Sequence, residues 1–136
     1  MKPVLVDSNV VLDILDEDSP WLEWSERQIA ELGDTAVLLI NPLIYAEVSV
    51  WFERVEEVEV AMPPEMFERE PLPYSAAFLA GKCYLRYRRR GGTRRSPLPD
   101  FYIGAHAAIA DYRLLTRDAR RYRDYFPKLE IIAPES

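Results

Sequence analysis

Short extended or apolar runs recur along this chain, and helical patterns fill the gaps between them. Strands in that rhythm pair in parallel, because parallel pairing needs a long crossover and the crossover helices then cover the sheet. The strands are Val4-Leu5-Val6, Ala36 to Ile40, a short run near 68–72, Leu114-Leu115-Thr116, and Glu130 to Ala133. Between them, Val10, Val11, Ile14 and Leu15 give residues 9–16 helical spacing. Ser19-Pro20 opens a second helix running to Gly33, and Asn41-Pro42 caps and starts a third. Residues 74–90 form a helix ending at Gly91-Gly92, and 93–99 form a loop. Phe101 to Asp111 and 118–125 are the last helices. The stretch from Val58 to Pro73 holds four prolines and no readable period beyond its short strand. No repeat or long linker divides the chain, so residues 1–136 read as one domain.

Crossovers in such a sheet are right-handed, so the C-terminal ends of its strands share one edge, where ligands of open α/β sheets bind. Four acids reach that edge. Asp7 ends the first strand. Glu47 lies two turns into the helix after the second strand. Asp100 begins a helix after a proline loop, and Asp118 follows the Leu114 strand. Asp7, Asp100 and Asp118 each also suit a helix cap. Glu47 does not. It is flanked by Leu43, Ile44, Val48 and Trp51, and burying a lone carboxylate there is costly. Only Arg27 offers a cation between Lys2 and Arg54. Converging carboxylates raise one another's pKa, and a hard divalent cation with oxygen ligands removes that repulsion while bridging to a phosphate. Asp13, Asp16, Glu17 and Asp18 read as a solvated helix end.

Charge and cysteine content narrow the class. The net charge is −6, which disfavours a protein that coats nucleic acid. Residues 86–95 are the exception, with Arg86, Arg88, Arg89, Arg90, Arg94 and Arg95 and no acid. That run is either a solvated helix end or a phosphate-binding patch. One cysteine, Cys83, allows no internal disulfide and reads as a small apolar core residue. One Cys and one His cannot make a zinc set. The start is too short in apolar residues for a signal peptide, and no run approaches the ~20 residues of a membrane span, so a cytoplasmic protein is expected.

At these residues the chain resembles the PIN-domain nucleases, in particular VapC-type toxins of toxin–antitoxin pairs. The matching pieces are Val4-Leu-Val-Asp7-Ser-Asn9, Asn41-Pro-Leu-Ile-Tyr-Ala-Glu47, Leu98-Pro-Asp100-Phe-Tyr-Ile-Gly104-Ala-His106-Ala and Leu114-Leu-Thr-Arg-Asp118-Ala-Arg-Arg-Tyr122. The endings Tyr125-Phe-Pro and Ile131-Ile-Ala-Pro134 also look like the family. The resemblance implies a three-layer α/β/α fold with a central parallel sheet. It implies Mg²⁺- or Mn²⁺-dependent endoribonuclease activity on structured RNA, often tRNA or rRNA, as well as a homodimer and a neutralising antitoxin of the VapB kind. Carried over residue by residue, Asp7, Glu47, Asp100 and Asp118 become the metal-site acids. Ser8, Asn9 and Thr116 become their hydrogen-bonding supports or hold the attacking water.

Two rival readings compete. A phosphatase using Asp7 as nucleophile wants a second acid at position 9, which is Asn9, and a positioned lysine, and the chain has only Lys2, Lys82 and Lys128. A silent binding module has no need of the acid set. His106, the only histidine, reads as structural rather than as a general base. Trp51 reads as a core or dimer-interface residue, and Trp21, Trp24, Tyr84 and Tyr87 are available for stacking on bases.

Overall fold

In the computed structural model, which describes residues 1–134, five strands form one parallel sheet in the order β3-β2-β1-β4-β5. The strands are β1 (Val4–Val6), β2 (Leu38–Ile40), β3 (Glu68–Arg69), β4 (Arg113–Leu115) and β5 (Ile131–Ile132). Seven helices connect or follow them among the described residues. These are α1 (Ser8–Ile14), α2 (Leu22–Thr35), α3 (Pro42–Ser49), α4 (Val55–Ala61), α5 (Tyr74–Arg89), α6 (Pro99–Ala110) and α7 (Arg120–Tyr125).

The three central strands are wholly buried, β1 and β2 as continuous apolar triplets of a doubly covered parallel sheet, and β4 with Arg113 at its start donating to the Lys2 carbonyl at 3.0 Å. Val4 pairs with both Leu38 and Arg113, so β1 is the central strand. The chain steps outward from β1 to β2 and β3, then crosses back to β4 on the other side. The switch in strand order therefore falls between β1 and β4, and the crevice at their C-terminal ends is where Asp7 emerges.

Local chemistry explains the helix ends. Asn41 caps α3, its side chain accepting the Ile44 N–H at 3.0 Å with Pro42 in the first turn. α5 stops where Gly91 takes φ 92°. Gly104 on α6 allows close packing, since a Cβ there would stand 2.3 Å from the Phe126 ring. Cys83 is buried on α5, as expected.

One stretch without a readable period resolves, and two expectations change. The stretch after residue 55 contains a helix, α4, which its scattered valines and glutamates conceal. Asp13 is not solvated but 4% exposed. It accepts hydrogen bonds from Ser19, Ser25 and the Arg117 Nε, at 3.0, 3.0 and 2.9 Å. Trp51 is 71% exposed, which removes the core half of its reading and leaves the dimer-interface half. α3 ends at Ser49, so Trp51 falls beyond the buried face that the helix spacing assigned to it.

Candidate active site

Asp7 is the N-cap of α1 and 3% exposed, at the mouth of the strand-order switch. Its carboxylate accepts three hydrogen bonds, all from neutral donors. The Ser8 N–H reaches Oδ1 at 2.8 Å, while the hydroxyls of Thr116 and Tyr122 reach Oδ2 at 2.9 and 2.8 Å. Burial, with the charge of Asp100, outweighs those donors and raises the Asp7 pKa to about 6.

Glu47 projects from α3 toward the same edge, half-buried, and takes the Ser8 hydroxyl on Oε1 at 2.9 Å. Its partner is thus a hydroxyl rather than a cation. Burial and the charges of Asp7 and Asp100 push its pKa up, against the Ser8 hydrogen bond. Asp100 sits in the first turn of α6, where Leu98 rather than Asp100 is the cap residue. The Tyr122 oxygen lies 3.2 Å from Asp100 Oδ1, and Arg121 reaches Oδ2 at 3.3 Å. The Tyr122 phenol carries one proton, and the shorter contact assigns it to Asp7. Burial and the surrounding carboxylates hold that phenol well above the ordinary tyrosine range.

Asp118 stands apart from these three. Its side chain is 57% exposed and pairs with Arg120 at 3.4 Å. Burial works to raise its pKa, but hydrogen bonds to Arg120 and the charges of Arg120 and Arg117 hold it below the usual carboxylate range. It is not the cap of α7, a place taken by Ala119. Of the three supporting residues, Ser8 and Thr116 bond the acids directly, and Asn9 bonds none of them. Asn9 Nδ2 donates to Thr116 Oγ1 at 3.2 Å, and Asn9 Oδ1 accepts the Arg117 N–H at 3.1 Å. Ser8 joins Asp7 to Glu47, and Thr116 joins Asp7 to the Asp118 loop, whose N–H it accepts at 3.2 Å.

In place of the expected ring of four stands a trio, with Asp7 buried and Glu47 and Asp100 half-buried, and with the more exposed Asp118 on its rim. Among the described residues no three acid, histidine or cysteine side chains form a ready-made metal cage. The donor set still fits a hard divalent cation. Two of the trio have pKa values raised by burial and mutual repulsion, and among the described residues the single protein cation touching the trio is Arg121 on Asp100. A Mg²⁺-like ion needs only one or two carboxylates and keeps its waters, so an open oxygen site suits it better than a closed cage.

A cleft of about 580 Å³ opens beside the trio. Asp100, Asp118, Arg120 and Arg121 line it, together with Tyr87, Arg90, Gly91, Gly92, Asp124 and Tyr125. Of the six arginines in the basic run only Arg90 lines it, and Arg90 is paired with Asp124 at 3.1 Å. Arg86 lies over the Tyr125 ring, and Arg88 bonds the Arg94 carbonyl at 3.1 Å. Arg89, Arg94 and Arg95 are exposed beyond the cleft. Sequence reading missed Arg120, Arg121 and Tyr122 as site residues. The signal was their spacing, since one turn of helix after Asp118 returns side chains to the same edge.

His106 is fully buried on α6 and touches none of the four acids, consistent with a structural residue. No helix among the described residues is long and apolar enough to cross a membrane.

Known proteins share this architecture. Over 98% of the chain and 99% of its counterpart, the fold matches VapBC2 from Rickettsia felis bound to a promoter DNA fragment, with TM-score 0.74 and 13% identity. VapBC-1 from nontypeable Haemophilus influenzae matches with TM-score 0.71 and 15% identity, over 96% and 97% of the two chains. DNA-bound VapBC from Salmonella typhimurium gives 0.69 and 16%, over 98% of each. At such identities the likeness is one of fold. A search of curated proteins returns no match. The PIN domain family model matches residues 4–126, nearly the whole chain, and the chain belongs to the PIN domain family.

Proposed function

We propose that this chain is a metal-dependent endoribonuclease and the toxin of a VapBC-type toxin–antitoxin pair. The observation that carries the chemistry is the acid trio: buried Asp7 and half-buried Glu47 and Asp100 converge, and among the described residues no protein cation lies against Asp7 or Glu47. PIN membership supports nuclease activity, and the fold shared with VapBC complexes supports an antitoxin partner of the VapB kind. The exposed Val50 and Trp51 supply apolar area for a homodimer or for that partner.

Asp7, Asp100 and Glu47 would hold Mg²⁺ or Mn²⁺, with Asp118 joining from the rim. An ion held there would lower the pKa of water and offset charge on the phosphoryl group. Ser8 holds Glu47 and Asp7 in register, and the hydroxyls of Thr116 and Tyr122 fix Asp7 Oδ2 so that Oδ1 keeps a free lone pair. Arg120 and Arg121 sit where flanking phosphates would lie along the cleft, and Arg89, Arg94 and Arg95 extend that positive surface outward. Water attack in line on phosphorus would leave a 5′-phosphate and a 3′-hydroxyl on an RNA of the tRNA or rRNA class.

The test is induced expression in bacterial cells, with sequencing of RNA ends. New 5′-phosphate ends with the wild-type chain and none with Asp7→Asn support the proposal. Identical end profiles for the two overturn it.

A further inference from the structure

Away from the acids lies a second buried polar cluster that the chemistry above leaves unused. His106, from α6, is wholly buried, and its Nδ1 lies 3.0 Å from Asn41 Nδ2. Asn41 Oδ1 is committed to the Ile44 N–H that starts α3, so the amide nitrogen must face the ring. An amide nitrogen only donates, so Nδ1 accepts. The neutral ring then carries its proton on Nε2. That nitrogen and Glu70 Oε2 face each other at 3.9 Å, and both are buried without a hydrogen-bond partner. The other oxygen of Glu70 holds the Tyr112 hydroxyl at 2.7 Å, just before β4.

We propose that His106 is a positioning residue: as the neutral Nε2–H tautomer it ties the start of the Glu47 helix to the Asp100 helix through Asn41. Glu47 lies three residues beyond Ile44, whose N–H Asn41 caps, and Asp100 lies six residues before His106 on the same helix. Among the described side chains, the Asn41–His106 contact is the only hydrogen bond joining the α3 cap to α6. The spacing of the two acids is thus set from behind by one imidazole. Burial keeps the ring below the ordinary histidine range, opposed by the Glu70 charge. The other titratable group against it is Tyr112, its ring 5.9 Å away. The functional part of the inference rests on the acid trio binding a divalent ion.

Because the chain has one histidine, selective ¹⁵N-histidine labelling reads this ring alone. The expected spectrum has an unprotonated Nδ1 and a protonated Nε2 at neutral pH. An Nδ1–H or doubly protonated ring overturns the assignment. Amide hydrogen exchange at Ile44 and Mn²⁺ calorimetry are then compared for wild type, His106→Asn and His106→Phe. Asn keeps an acceptor at the Nδ1 position, whereas Phe keeps only the bulk. The expected result is roughly tenfold faster Ile44 exchange and roughly tenfold weaker Mn²⁺ binding in His106→Phe, with both largely restored in His106→Asn. Unchanged exchange and affinity in folded His106→Phe, whatever its melting temperature, overturn the proposal. Should the wild type bind no Mn²⁺, the metal reading fails by itself, and the exchange comparison alone decides the His106 tie.

Discussion

Tyr122 donates its phenol proton to Asp7 across 115 residues of sequence, at 2.8 Å, while its oxygen stays 3.2 Å from Asp100. This contact holds the two carboxylates beside a single neutral group. Removing the hydroxyl with Tyr122→Phe leaves Asp7 with one donor fewer and the same burial. Its pKa is expected to rise above 6 by roughly one unit, the worth of one hydrogen bond. Carboxyl-carbon NMR of metal-free protein measures it, and an unmoved titration would show the phenol contact to be idle.

The same carboxylate sets a stability cost. Its pKa rises from 3.8 to about 6 on folding, so between those values the folded protein binds more protons than the unfolded chain. Stability falls as pH rises through that window, by about 3 kcal/mol in all. Asp7→Asn removes the charge and is expected to be more stable than wild type above pH 6, by up to that amount, and no more stable below about pH 4. Denaturant unfolding in EDTA at the two pH values checks this. A pH-independent difference would mean that Asp7 does not titrate with folding.

How much of this was legible in the sequence follows from the kind of signal each residue leaves. The alternation of strands and helices was readable because apolar triplets such as Val4–Val6 and Leu38–Ile40 need both faces covered. Helix α4 was hidden because only Val58 of its seven residues is buried, and so it carries almost no amphipathic period. Glu47 stood out because capping could not explain it. Tyr122 did not, because an aromatic on a short helix reads as core, and only the fold shows its hydroxyl reaching Asp7. Asp13 was misread because its partner Arg117 lies 104 residues away.

Gly104 marks the closest approach of α6 to Phe126. Gly104→Ala places a methyl group 2.3 Å from that ring, and overpacking of this kind costs about 1–3 kcal/mol. A Tm or urea midpoint lowered accordingly is expected, and an unchanged midpoint would place Phe126 in a roomier site.

The basic surface has its own signature. Replacing Arg89, Arg94, Arg95 and Arg121 by Gln removes four positive charges from the cleft and its outer flank. If each meets one phosphate, the log–log salt slope of RNA binding flattens by about 3. Fluorescence anisotropy with a labelled RNA over a salt series measures it, and an identical slope would assign these arginines to another partner or to solvent.

The most direct measurement is cleavage of RNA by the purified chain, wild type against Asp7→Asn, each with Mg²⁺ and with EDTA. Cleavage by the wild type in Mg²⁺ alone, leaving 5′-phosphate ends, is the expected result. Equal cleavage in all four reactions, or by the wild type in EDTA, would contradict a metal held by the acid trio.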